Sequence, residues 1–309
     1  MEDVIHSKYL PYSVEEVEKH LAEGIRANVR EGAKYFSKSV ERYRQYVENP
    51  AAFGTDVRKS ERRARQFEKD EKFWTAACLI GLEKKNSPEV WIELLKKCFG
   101  IEDPPKFSSG KTWGELIPEA PKIRLEVPLP SPRLYLEWLR EHVSLRNLIP
   151  YVLEQASHAG VRLEGFTHAD AVVVCEATGF SVVVEAKATS DISHGVSFDL
   201  MRNQIARIAD AMLEPPEIGH QPPLSRRDPN ATVFALLTPR IFQENPTSRF
   251  YGWLMNDYRN NPASLRRDLP HRVNSDSIDW SGLSNRLGWF TWEDCNEVKP
   301  SVCRWLDKE

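Results

Sequence analysis

Hydrophobic positions in this chain follow two periods, and the places where each occurs set the expected elements. The stretch His168-Ala-Asp-Ala-Val-Val-Val-Cys-Glu-Ala-Thr-Gly-Phe-Ser-Val-Val-Val-Glu-Ala-Lys187 holds two β-branched runs around the polar break Glu176-Ala-Thr-Gly179. That pattern predicts a β-hairpin. Residues 231–238 are apolar almost throughout, as expected of a central strand covered on both faces. Ile123, Leu125 and Val127 alternate with charged or polar residues, which predicts an edge strand over 121–128. Helical spacing takes over elsewhere. Phe198, Met201, Ile205, Ile208 and Met212 define a buried stripe on a helix capped by Ser197 and running to Leu213. Ser131-Pro132 starts a helix carrying Leu134, Leu136, Trp138 and Leu139, and a second helical stretch follows over 145–156. Residues 249–260 read as a helix with Phe250, Trp253, Leu254 and Tyr258.

The first hundred residues read as helices alone. Ser13 caps a helix with Val14, Val17, Leu21 and Ile25 on one face; one long charged helix is expected over 56–85, and Ser87-Pro-Glu opens a third with Val90, Leu94 and Cys98. Prolines 104, 105, 118, 121, 128, 130 and 132 mark 101–132 as a linker or edge strand. The expected organisation is therefore a helical region over 1–100, that strap, and an α/β domain over 133–309. Helix–strand alternation sets the 231–238 strand beside the hairpin, parallel to its second strand. Trp280, Trp289, Trp292 and Trp305 in the last segment are expected in the core.

Composition narrows the class. Of the 309 residues, 41% are hydrophobic and 28% charged, the proportions of an ordinary globular protein. No run approaches 18 apolar residues, so no membrane partner is expected. Met1-Glu-Asp-Val-Ile-His has neither the basic start nor the apolar run of a signal peptide. The five cysteines, at 78, 98, 175, 295 and 303, form no C-x-x-C pair, which argues against zinc and for a reducing, cytoplasmic setting. The net charge of −3 is not that of a protein held to nucleic acid by phosphate neutralisation alone. Arg58-Lys59 with Arg62, Arg63 and Arg65, Arg226-Arg227, and Arg266-Arg267 with Arg272 are local basic clusters read as solvated faces.

The candidate chemistry lies on the hairpin. With the turn centred between Ala177 and Thr178, Asp170 comes opposite Glu185, and Lys187 shares the face of Glu185. Opposed residues hold their Cβ atoms roughly 4.5–5.5 Å apart. At an effective dielectric near 20, two carboxylates there repel by about 3 kcal/mol. A hard divalent cation with oxygen ligands and retained waters offsets that cost. The sequence thus proposes a metal site with an ammonium beside it.

Asp170, the hairpin and Glu185-Ala-Lys187 resemble the PD-(D/E)XK nuclease superfamily, with Ala169 where its signature often has Pro. The resemblance covers roughly residues 133–240. It implies a restriction-endonuclease-like mixed sheet flanked by helices, and an Mg2+-dependent nuclease, with Mn2+ able to substitute. It further implies Asp170, Glu185 and the backbone carbonyl of Ala186 as metal ligands, and Lys187 as the residue that orients or deprotonates water and offsets developing charge. Gln204 would point to the metal site from the following helix. A further carboxylate from an earlier helix would be Glu154, with Glu137 and Glu141 as competitors. His194 is a candidate acid or phosphate contact; His6 and His20 are isolated. The expected partner is nucleic acid, DNA before RNA, with a homodimer or protein partner through the helical region. Two rivals stand beside this reading: a catalytically silent nucleic-acid-binding or protein-interaction module on the same fold, and a scaffold in which Asp170, Glu185 and Lys187 form only a surface salt bridge.

Overall fold

The computed structural model describes residues 56–64, 68–84, 87–105, 110–193, 195–217, 220–273 and 278–306, with isolated positions between 41 and 51. The expected helix from Ser13, together with His6, His20 and His194, lies outside the described residues. A five-stranded mixed sheet organises the chain, in spatial order β1 (Lys122–Leu129), β2 (Thr167–Val174), β3 (Ser181–Ala186), β4 (Thr232–Thr238) and β5 (Leu287–Thr291). The first three strands are antiparallel; β4 runs parallel to β3 and β5 parallel to β4. Both the edge strand and the parallel placement of β4 agree with the sequence. Every residue of β3 and β4 is buried, as their unbroken apolar runs demand.

The hairpin has the expected register. Ala171 faces Val184 and Val174 faces Ser181, so the same register sets Asp170 opposite Glu185, one step past the last ladder pair. The turn closes through the Cys175 and Gly179 amides, which donate to Phe180 and Cys175 carbonyls at 2.9 Å each. Gly179 takes φ 76°, and a Cβ there would stand 2.7 Å from the Arg226 carbonyl oxygen, so only glycine fits.

Two apolar layers cover the sheet. One face packs against helices α1 (Glu71–Lys84) and α2 (Pro88–Phe99), with Leu79, Trp91 and Leu94 meeting Val173, Val182 and Ala235. Both helices belong to the same core as the sheet, although they lie in the stretch read as a separate helical region. The opposite face packs against α3 (Gln204–Ala211) and α4 (Phe250–Asn260), where Ile205, Ile208, Leu254 and Tyr258 meet Val172, Val183 and Phe234. Trp289 and Trp292 are buried as expected, whereas Trp280 and Trp305 are only partly buried against the two layers.

Three expected helices differ from what is observed, two for a local reason and one because of contacts distant in sequence. The long helix over 56–85 breaks at Asp70, whose carboxylate accepts the Lys72 and Phe73 amides and so caps a new helix that begins at Glu71. The stretch from 145 is split, with one helix ending at Arg146 and the next starting at Pro150, because the residue before a proline is pushed out of the helical region. The helix expected from Ser197 starts only at Gln204, under an Asn203 cap. Residues 195–203 are instead held by buried charge. Asp199 accepts from the Tyr135 hydroxyl at 3.0 Å and pairs with Arg146 at 2.9 Å. Arg202, fully buried, bridges Glu164 at 3.3 Å and Asp210 at 2.7 Å and stacks on the Tyr135 ring. Met201, expected in the buried stripe, is 60% exposed.

A buried carboxylate row at the end of the hairpin

The candidate site is built where β1, β2 and β3 lie side by side. Leu125 and Val127 face Ala171 and Ala169, so Glu126 stands across from Asp170, which in turn stands across from Glu185. Three neighbouring strands therefore present a carboxylate at one level. Glu126 adopts φ 51°, a left-handed conformation that costs an L-residue about 1–2 kcal/mol. A fourth carboxylate comes from the first turn of α1. Glu71 is placed there by the Asp70 cap, and reaches Lys187 Nζ at 3.1 Å, Ser190 Oγ at 2.6 Å and the Ala188 amide at 3.0 Å.

Lys187 sits at the centre. Its ammonium lies 2.6 Å from Glu185 Oε1, and its amide continues the ladder by donating to the Leu237 carbonyl at 2.9 Å. Gln204, at the start of α3, donates from Nε2 to the same Glu185 Oε1 at 2.5 Å, while its Oε1 accepts the Ser193 amide at 3.3 Å. The late start of α3 is what brings Gln204 here. At the first helical position its side chain points along the loop 188–193 rather than lying along the helix barrel. Asp170 Oδ2 accepts the Ala186 amide at 2.7 Å. Glu185 Oε2 is buried and has no hydrogen-bond partner.

Electrostatics follow from this crowding. Burial, with Glu126 and Glu71 adding to it, pushes the Asp170 carboxyl up to about 7 against the pull of Lys187 and the Ala186 amide. Burial and the neighbouring Asp170 hold Glu185 well above the usual carboxylate range. Burial pulls Lys187 down, but Glu185, Glu71 and Asp170 outweigh it and the ammonium is held above its ordinary value. Lys72 pairs with Glu126 at 2.7 Å, so four carboxylates are assembled against two ammonium groups.

The structure thus brings together Asp170, Glu185, Lys187 and Gln204. It does not bring Glu154, which is exposed on the helix Pro150–Ser157; the carboxylate in the cluster from an earlier helix is Glu71. Glu137 pairs at the surface with Arg133, and Glu141 is exposed. The pair Lys187–Glu185 is a salt bridge, but a buried one, with 7% and 2% of the two side chains exposed. Among the described residues no group of three or more His, Cys, Asp or Glu side chains is arranged to hold a metal ion. Lys187 Nζ fills the space between Glu71 and Glu185.

Sequence reasoning missed Glu71 and Glu126. An Asp-Glu-Lys step after a charged run could have signalled a helix start at Asp70. Nothing in the alternation of 121–128 singles out Glu126. No protein-family model matches the chain, and neither does any curated protein or solved structure. Among the described residues, no helix is long and apolar enough to cross a membrane.

Proposed function

We propose that this chain is a metal-dependent nuclease that hydrolyses phosphodiester bonds, with DNA as the expected substrate and Mg2+ as cofactor, Mn2+ substituting. The observation that carries the reading is Glu185: a buried carboxylate in a central strand, directly beside Asp170, with one oxygen left unpartnered. An orphaned buried carboxylate oxygen costs several kcal/mol unless something positive meets it. The donor chemistry fits a hard cation. Mg2+ is held by one or two carboxylates and keeps its remaining waters, so Asp170, Glu185 and the Ala186 backbone carbonyl suffice without a third side chain. Glu71 then takes the place the resemblance gave to Glu154.

When bound, Mg2+ would acidify a coordinated water and polarise the scissile phosphate. The rest falls to the chain. Lys187, kept protonated by its carboxylate neighbours, is suited to orient the attacking water and to offset charge developing on the phosphate. That protonation makes it a poor base until a cation relieves the carboxylates around it. Gln204 fixes Glu185 through its amide and is anchored by the Ser193 amide at its other end.

One observation favours a second reading: Lys187 already joins Glu71 and Glu185, as in a closed ion pair within a binding or interaction module that lacks catalysis. Calorimetric titration with Mn2+ separates the two. The nuclease reading expects saturable uptake by the wild type and none by Glu185→Gln. Equal heats from both proteins would leave the closed ion pair as the better description.

A further inference from the structure

Beside the carboxylate row stands an aromatic and cationic face that the hydrolytic reading does not use. The loop after Lys187 is tied to the start of α4. Asp191 accepts the Phe250 amide at 2.7 Å and the Tyr251 amide at 3.2 Å, while Ser190 of the same loop holds Glu71. At this junction the Arg249 guanidinium donates to the Thr189 carbonyl at 3.4 Å and lies over the Phe242 ring at 4.3 Å. Among the described residues no carboxylate forms a salt bridge with Arg249. One turn on, Trp253 is 51% exposed and stacks on Phe250 with ring centres 6.0 Å apart and planes only 11° from parallel.

This indole is held flat by a second ring, close in sequence to a cation that donates to the loop following Lys187. A flat, exposed ring with a cation one turn away is the arrangement on which successive bases of a single strand stack. We infer that Trp253 is a stacking platform for an unpaired base of a single-stranded nucleic acid, whose adjoining phosphate is met by Arg249 as the strand runs towards Lys187. The inference rests on the nuclease reading and narrows its substrate to a single strand or the frayed end of a duplex. Stacking on a ring needs a base with an open face, which a paired and stacked duplex does not offer.

Charge supplies the direction. Arg249, at the cap of α4, precedes Trp253 by four residues and Asp257 follows it by four, and the Asp191 carboxylate on the Arg249 side is taken up by the Phe250 and Tyr251 amides, so a phosphate is met at the Arg249 end. Trp253 is exposed, so its replacement leaves the core intact.

The test is fluorescence anisotropy of a short labelled oligothymidylate, the same strand with abasic sites, and a duplex, with Ca2+ in place of Mg2+ to allow binding. Wild type, Trp253→Ala and Trp253→Phe are compared. The expected result is that Trp253→Ala binds the single strand roughly tenfold more weakly, that Trp253→Phe restores most of the loss, and that removing bases weakens the wild type but not Trp253→Ala. Two outcomes overturn the proposal alone: unchanged single-strand binding by Trp253→Ala, or an equal penalty for base removal in both proteins. A wild type that binds neither strand nor duplex instead removes the nuclease reading on which the proposal rests.

Discussion

Replacing Asp170 by Asn should stabilise the metal-free protein, increasingly so as pH rises from about 4 to 7. An Asn at this position can still accept the Ala186 amide, so the substitution removes a charge and little else. The folded-state carboxyl is pushed up to about 7 from an ordinary 3.8. The folded protein therefore holds the Asp170 proton more tightly than the unfolded chain does. The favourable contribution of that proton is complete below about pH 4 and is lost as pH rises to 7. Above pH 7 the ionised group opposes folding by about 4 kcal/mol, since each tenfold gain in proton affinity on folding corresponds to about 1.4 kcal/mol. In a chain of this size that is roughly 6 °C in melting temperature. Thermal denaturation in EDTA at pH 4 and pH 8 reads the effect. Asp170→Asn should melt higher than wild type at pH 8 and nearly with it at pH 4, and added Mg2+ should raise the wild type alone. A substitution that lowers the melting temperature equally at both pH values would refute the idea that this carboxylate is held under electrostatic strain. Such a cost is tolerated where function needs it.

Glu71→Gln should reduce, without abolishing, the Mn2+-induced rise in melting temperature, whereas Glu154→Gln, at an exposed position, should change stability by no more than about 0.5 kcal/mol and leave metal uptake intact; paired thermal scans decide. Arg202→Met strips one buried partner from Glu164, which keeps Arg207, and from Asp210, which keeps Arg272 and His271, and should cost about 1.5–3 kcal/mol in denaturant unfolding. The same variant should disturb Gln204, two residues on, and so weaken Mn2+ uptake beyond its effect on stability. All five cysteines are free and buried, and burial raises the Cys78 and Cys295 thiols well above their ordinary range, so native protein should resist a thiol reagent that labels all five after unfolding.

The parts of this fold legible in the sequence are those where side-chain period and local chemistry agree. Val172–Val174 and Val182–Val184 alternate around one polar break, and that alone fixed the register that sets Asp170 against Glu185. The alternation of Ile123, Leu125 and Val127 gave β1 in the same way. What stayed hidden depends on contacts distant in sequence. Ser197 and the stripe through Phe198 and Met201 satisfy every local rule for a helix start, yet Asp199 and Arg202 are drawn to Tyr135, Arg146, Glu164 and Asp210, and no helical period reports that pull. β5 is five residues long and contains Gly288, too short a run to stand out from the surrounding aromatics. Glu154 and Glu71 look alike as helical glutamates. Only the packing of α1 against the sheet brings Glu71 to Lys187, 116 residues away.

The most direct test of the nuclease assignment is cleavage of plasmid, linear duplex, single-stranded DNA and RNA with Mn2+, by wild type and by Lys187→Ala side by side. The expected result is cutting by the wild type that needs the metal and disappears with the lysine. Cutting that survives Lys187→Ala, or intact substrates alongside normal Mn2+ uptake, would contradict it.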